Sequence, residues 1–426
     1  NGATYTITVT NATIDHTYAA YKLFDAALAP DGGVSYSYDG TLTENDYFTQ
    51  DEYGNITATA AATDSATGKL SAEAIAFLAT LVNVGTDTPA ASVEASADTV
   101  TLTVTDPGYY YVTSTLGTVV TIDTTKPTAK IIDKNQTPSW DNDDPGEDPE
   151  DPSDDVPGVG KVIVLADGSK VTSNTAKYGD VVNFDIGINA TNFDGTKMVT
   201  YYYITDTLDD GFTLASSFAP VVKVGEDTLT AGQDYTLNVS GNTFDIAIKW
   251  AEVGEGTGAV LESIYSNAVE IHVTYSATVN NTAVLGATGN DNTANFTYDS
   301  VSYDPEEPPT TDPTPSDDPK YPDDTKKTTT YVYAFAIEKT DGTDPLPGAT
   351  FILKSVPVSG SAGVYSYDAN ATAGATLECA SDGTLVIKGL AAGTYTLNEK
   401  DPPEGYNANR EDIVFTIAEG DADAAT

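Results

Sequence analysis

The run Val159-Gly160-Lys161-Val162-Ile163-Val164 sets one cation in an otherwise apolar stretch. Two fates are open to it. If the strand is buried, desolvation lowers the amine's pKa and the neutral amine becomes a nucleophile. If the strand lies at a sheet edge, the ammonium simply points into water. Other reactive side chains are scarce, since the chain has one cysteine, Cys379, and two histidines, His16 and His272. No histidine lies near Cys379 in sequence, so a buried structural thiol fits it better than a nucleophile. Two distant histidines leave little for a His-based metal centre or a triad, and neither a metal nor a cofactor is expected. Asp and Glu total 64, which makes chance carboxylate pairs common. No grouping of acids with aromatics marks a glycosidase-type site.

Those acids face only 19 Lys and Arg, for a formal net charge of −45 over 426 residues. Phosphate binding needs clustered cations, so this balance excludes a nucleic-acid partner. It suits solubility and repulsion at a surface. Hydrophobic residues make up 40%, enough for real cores, and the length implies about two to four domains. No apolar run is long enough to span a bilayer, and neither an initiator Met nor a secretory signal is evident. One cysteine excludes an intrachain disulfide, so an extracellular chain of this kind needs another covalent or packing device.

Two stretches break the pattern: DNDDPGEDPEDPSDDVPG from Asp141 and DPEEPPTTDPTPSDDPKYPDD from Asp304. Both are acidic, proline-rich and nearly free of apolar residues, which predicts extended, polyproline-like spacers. Neither has the glycine-turn spacing of an EF-hand loop. The division is then an N-terminal domain 1–140, a linker 141–158, a middle domain 159–303, a linker 304–325 and a C-terminal domain 326–426. Tyr5-Thr6-Ile7-Thr8-Val9 alternates as a half-buried strand, and Ser71–Val84 predicts a helix with Ser71 as N-cap and Ala74, Phe77, Leu78 and Leu81 on one face. Predicted middle strands include Val181–Ile188, Val199–Thr205, Thr243–Trp250, Ala268–Val279 and Thr293–Tyr298. Predicted C-terminal ones include Tyr331–Glu338, Thr350–Lys354, Thr384–Lys388, Thr394–Glu399 and Asp412–Ile417. Turn residues recur every eight to twelve positions, and no helix alternates with the strands. The fold class is all-β: three tandem Ig-like, Cna-type β-sandwiches, the first with a packed helix.

YTLNEKDPPEGY from Tyr395, with IEKTD from Ile337 and PLPGATFIL from Pro345, resembles a collagen-adhesin B-type (CnaB-like) domain. The Lys161 strand, YGDVVNFDI from Tyr178, ITDTLDDGF from Ile204 and GNDNTANFTY from Gly289 resemble the middle domain of Gram-positive backbone pilins. TTKPTAKIIDKNQTP from Thr124 is similar to the close of their N-terminal domain. The resemblance implies Lys–Asn isopeptide bonds promoted by a neighbouring acid. It gives the middle domain Lys161 as nucleophile, Asn292 as acceptor and Asp206 as acid. In the C-terminal domain it gives Lys339 and Glu399, with no partner asparagine evident, because Asn407 and Asn409 follow the Pro/Gly turn too closely. In the N-terminal domain Lys22 and Asn135 occupy plausible positions, but Gly108–Thr113 carries no acid, so no bond is expected there.

Assembly is a separate reaction. The resemblance implies that a pilus-specific sortase joins subunits, and Ala129–Asn135 selects Lys134 as the receiving amine, with Lys126 and Lys130 as rivals. The implied function is the structural shaft subunit of a cell-wall-anchored extracellular pilus, not an enzyme, with identical neighbours and minor or tip pilins as partners. The alternative is a wall-anchored or pilus-tip adhesin for host matrix or glycan, although three compact segments leave little room for an inserted binding domain.

Overall fold

The computed structural model describes residues 4–28, 33–65, 69–114, 118–122, 126–133, 137–141, 160–305 and 307–420. Alternation drives the first sandwich: Tyr5–Thr10 buries Tyr5, Ile7 and Val9 and half-exposes its threonines. This strand lies between Thr128–Ile132, which is parallel to it, and the antiparallel Thr99–Val104. The facing sheet is built on the long strand Thr17–Leu28, flanked by Gly108–Val112, Val34–Ser37 and Ala91–Glu94. The predicted helix is shorter than expected, Ala72–Ala79. Ser71 caps it, accepting from the Ala74 N–H at 3.2 Å. Buried Ala74 and Leu78 pack with Phe24 and Phe48.

In the middle sandwich one sheet runs Lys170–Val171, Lys161–Val164, Val181–Ala190, Val269–Val279, Val221–Val224. The other runs Ser173–Thr175, Lys326–Tyr331, Asn290–Ser302, Lys197–Leu208, Thr243–Lys249, Tyr235–Ser240. Phe184, Ile186, Ile204, Phe244, Ile246 and Val273 fill the space between them. The C-terminal sandwich has two four-stranded sheets, one containing Tyr333–Glu338 and Thr384–Leu390, the other Thr350–Leu353 and Gly393–Asp401. Cys379 is buried in its core, as a structural thiol should be.

Both expected spacers differ from their sequence reading. Ser139–Trp140 already belongs to the middle sandwich, pairing with Asn189 and Ile188, and Lys161 pairs with Ile186 on the same strand edge. Gly187 joins the two pieces: its carbonyl accepts from Asp141 N and its N–H donates to Gly160 O, both at 3.0 Å. Residues 142–159 lie outside the described residues, but Asp141 and Gly160, which flank them, both bond Gly187 of the same sheet. Composition revealed the polarity of this run but not that its two ends meet. The second run, 304–325, lies against the middle sandwich. Leu261 N donates to Pro309 O at 2.7 Å, Val253 N to Asp312 Oδ1 at 2.9 Å and Ser316 N to the Tyr203 hydroxyl at 2.7 Å. The strand predicted from Tyr331 starts at Lys326 and is cut at Val332. Lys326–Tyr331 pairs with Asn290–Ala294 in the middle sheet, while Tyr333–Glu338 pairs in the C-terminal one.

Trp140 anchors the splice. It is 5% exposed, meets Phe296 edge-on at 4.7 Å and donates Nε1–H to Asp324 O at 3.3 Å. Gly160 has φ +82°, and a Cβ there would lie 2.5 Å from the indole. Gly168 has nearly the same backbone (φ +85°) with nothing within 4 Å of a Cβ. Gly168→Ala should thus cost only the left-handed backbone term, about 1–2 kcal/mol. Gly160→Ala should cost at least that plus the loss of Trp140 seating, giving the larger fall in thermal midpoint. Equal falls would mean that Trp140 packing adds nothing to stability.

Candidate functional site

Alternation turns Lys161 and Ile163 inward from the edge strand. Asp206 comes from the facing sheet, opposite Phe244 and Ala294, and Asn292 from the strand beside it, opposite Leu208 and Thr328. The three residues expected from sequence are thus brought together in the interior, at 1%, 0% and 0% exposure for Lys161, Asp206 and Asn292. The solvent-facing alternative for Lys161 does not hold.

A fourth residue organises them. Tyr275, from Val269–Val279, donates its hydroxyl to Asp206 Oδ1 at 2.6 Å. The same oxygen accepts from Lys161 Nζ at 3.0 Å and from Asn292 Nδ2 at 2.6 Å. One donated and two accepted bonds use the whole capacity of a phenol. Lys161 Nζ also bonds Asp206 Oδ2 directly. Asn292 Oδ1 is buried without a hydrogen-bond partner. Such an orphan acceptor costs about 1–3 kcal/mol and is the atom an acid would protonate in amide exchange.

The walls are aromatic. The rings of Phe184 and Tyr275 each lie 5.4 Å from Lys161 Nζ, and Phe244 meets Tyr275 edge-on at 4.9 Å. Burial pushes the Lys161 amine below its ordinary range, with the Asp206 charge opposing. Burial pushes Asp206 up, with Lys161 opposing. Desolvation penalises both charges, so it favours moving the proton from lysine to aspartate. Amine, carboxyl and carboxamide thus meet around one phenol oxygen. Sequence reasoning missed Tyr275. Its signal was the alternation Ile271, Val273, Tyr275, Ala277, Val279, which turns the phenol inward with the apolar set.

The C-terminal pair is also formed: Lys339 Nζ lies 3.1 Å from Glu399 Oε1, in a geometry that makes no hydrogen bond. Glu399 Oε2 accepts from Asn409 N at 2.6 Å. The Asn409 side chain is used elsewhere, accepting from Glu411 N at 3.0 Å. Lys22 pairs with Asp25 on its own strand. Lys134 and Asn135 lie outside the described residues. Asp133, just before them, is buried, and its carboxylate accepts from the Tyr18 hydroxyl at 2.5 Å.

Residues 334–426 match the family model described as the SpaA prealbumin-like fold domain. The C-terminal domain is a SpaA domain. The chain is also 25% identical over 260 residues to the trypsin-resistant surface T6 protein of Streptococcus pyogenes serotype M6, covering 58% of this chain and 43% of that one. It therefore spans less than half the length of this relative. Similar solved structures include the T6 backbone pilin of S. pyogenes (16% identity, 98% of this chain and 80% of that one, TM-score 0.45). Another is the pilus 2b backbone protein of group B streptococcus (26% identity, 62% and 91%, TM-score 0.46). A third is the full-length major pilin RrgB of Streptococcus pneumoniae (13% identity, 98% and 95%, TM-score 0.46).

Within the SpaA domain the charge pair is asymmetric, with the Lys339 side chain 23% exposed and that of Glu399 1%. Lys339→Met strands a buried carboxylate and should cost about 3 kcal/mol. Glu399→Gln leaves a lysine that reaches water and should cost about 1 kcal/mol. Denaturant unfolding of the two variants tests the order. The reverse order would mean that the lysine, not the buried carboxylate, depends on the pair.

Proposed function

We propose that this chain is the structural shaft subunit of a covalently polymerised Gram-positive pilus, its middle domain locked by a Lys161–Asn292 isopeptide bond. The observation that carries this reading is the buried meeting of amine, carboxamide and acid on Tyr275. The SpaA match and the sequence likeness to the T6 surface protein support it. Lys161 passes a proton to Asp206 and its neutral Nζ attacks Asn292 Cγ. Asp206 delivers the proton to Oδ1 as the tetrahedral carbon forms. Collapse of that carbon returns the Oδ1 proton to Asp206 and breaks the Cγ–Nδ2 bond, and the nitrogen leaves as ammonia with the proton that Nζ gives up. No enzyme is needed, because fixed proximity supplies about 7–11 kcal/mol of the barrier. Tyr275 holds amine and amide at one point and is a positioning residue. Lys339 and Glu399 are the corresponding amine and acid of the SpaA domain. Lys134 is the amine that a pilus sortase joins to the next subunit, and minor or tip pilins complete the wall-anchored fibre.

Intact mass checks the internal bond. Folded protein should be lighter than its sequence by one ammonia for the middle domain, and a digest should yield a branched peptide joining Lys161 to Asn292. Asp206→Asn should fold without that loss, and Tyr275→Phe should reach the same mass more slowly. Closing a loop of about a hundred residues or more adds about 5 kcal/mol, so Asp206→Asn should melt about 10–20 °C lower. Full sequence mass in the folded wild type would end the proposal.

Assembly has its own variant. Lys134→Arg keeps the charge and removes the usable amine. Co-expressed with the sortase, it should lose the ladder of covalent polymers while each monomer keeps its internal mass loss. Polymers that persist in Lys134→Arg but vanish in Lys126→Arg or Lys130→Arg would move the linkage to that lysine.

A further inference from the structure

Just outside the Lys161 site, three elements converge on His272. Asp141 arrives with the spliced segment Ser139–Trp140, Asp185 stands on Val181–Ala190, and Glu270 shares the Val269–Val279 strand with His272. His272 Nδ1 lies 3.0 Å from Asp185 Oδ1. Its Nε2 lies 3.2 Å from Glu270 Oε2 and 4.0 Å from Asp141 Oδ2. One donor atom from each of Asp141, Glu270 and His272 falls within 4.8 Å of the others. We propose that these three side chains bind a divalent first-row cation of the zinc type, with Asp185 orienting the imidazole.

The donor chemistry fits such an ion. A carboxylate on Nδ1 fixes one ring proton there, the usual outer support of a metal-bound histidine. The Asp185 hydrogen bond and the other acids push the imidazole up to about 9, so an ion must displace the proton that Nε2 shares with Glu270. Imidazole plus carboxylate suits zinc-like ions better than calcium, which takes oxygen donors. Donors on one zinc ion stand about 3–4 Å apart, given bonds of about 2.0–2.2 Å. The widest pair among these three therefore needs to close by up to about 1–2 Å. Charge agrees as well: against Asp141, Asp185 and Glu270 stands Lys170, whose Nζ is 3.6 Å from Asp185 Oδ2. Once the ion has displaced the Nε2 proton, two negative charges remain for a divalent ion to match.

A cavity of about 20 Å³ beside Asp141, Asp185 and His272 would hold one water-sized particle, and Glu270, which does not line it, must turn in from the surface. Gly187 keeps it open, since a Cβ there would sit 2.8 Å from Asp141 Oδ2. Sequence reading dismissed a His-based site because the histidines are far apart. It could not see that a splice carries Asp141 to His272. An ion here staples the segment arriving from the first domain to the middle sandwich, independently of whether the isopeptide bond forms.

The test is calorimetric titration of chelator-stripped full-length protein with zinc chloride. One saturable site per chain is expected. It should weaken at least tenfold in His272→Gln and in Glu270→Gln and persist in His16→Gln, and zinc should raise the thermal midpoint of wild type but not of Glu270→Gln. The Glu270 side chain is 46% exposed, so its variant folds even if His272→Gln does not. Absence of saturable binding would overturn the proposal. So would binding undiminished in Glu270→Gln, which would place the ion on the acidic runs instead.

Discussion

A lysine amine and a carboxyl group withdrawn entirely from water impose the main constraint on this molecule. Two charges in such a place cost several kcal/mol each before their attraction repays any of it. The surroundings must then be rigid and dry, with partners for the amine and the carboxyl. Phe184, Phe244 and Tyr275 exclude water, and the Tyr275 hydroxyl satisfies three neighbours at once. The strand alternation that makes an ordinary sandwich core also delivers Lys161, Asp206, Tyr275 and Asn292 to one point. Core and site are a single packing problem, which is why each site residue sits on a strand and none on a loop.

Period-two patterning made much of this legible. Lys161 betrayed itself as a charge on an apolar strand, and the strands of the middle and C-terminal sandwiches fall close to where alternation put them. Contacts between distant segments were not legible. Trp140 reads as an isolated aromatic before an acidic run, and only the structure shows it against Phe296. Tyr275 was lost among 26 tyrosines, most of which sequence reasoning assigned to exposed sheet faces. Thr328 and Thr330 read as the start of the C-terminal domain, ahead of its first predicted strand, yet both are 1% exposed because the strand that carries them belongs to the middle sheet.

The acidic runs show how composition can give chemistry without placement. Proline and like charge do keep 304–325 free of regular pairing. The run is nonetheless fixed to the sandwich, because edge N–H groups and the Tyr203 hydroxyl find partners along it and its own Tyr321 hydroxyl accepts from Thr205. Extended backbone has unpaired carbonyls at regular intervals, and a sheet edge has unpaired donors, so the two satisfy each other without apolar burial.

The covalent order of these elements has a mechanical consequence under the proposed function. Pull applied near the end of the first domain enters the middle sandwich at Ser139–Trp140, in line with the strand that begins at Lys161. It leaves through Lys326–Tyr331 towards the SpaA domain. That exit strand pairs directly with Asn290–Ala294, with Thr328 opposite Asn292 itself. A bond from Lys161 to Asn292 therefore ties the entry strand to the immediate neighbour of the exit strand, and the rest of the sandwich is spared the load. What remains between them is one antiparallel ladder, Asn290–Ala294 against Lys326–Thr330. Force along the strands loads its hydrogen bonds together rather than one by one. Thr328 and Thr330 are buried at that ladder, so sliding it by one residue would turn Lys327 and Thr329 into the core. The step that no covalent bond protects is guarded by the same rule of alternation that built the site.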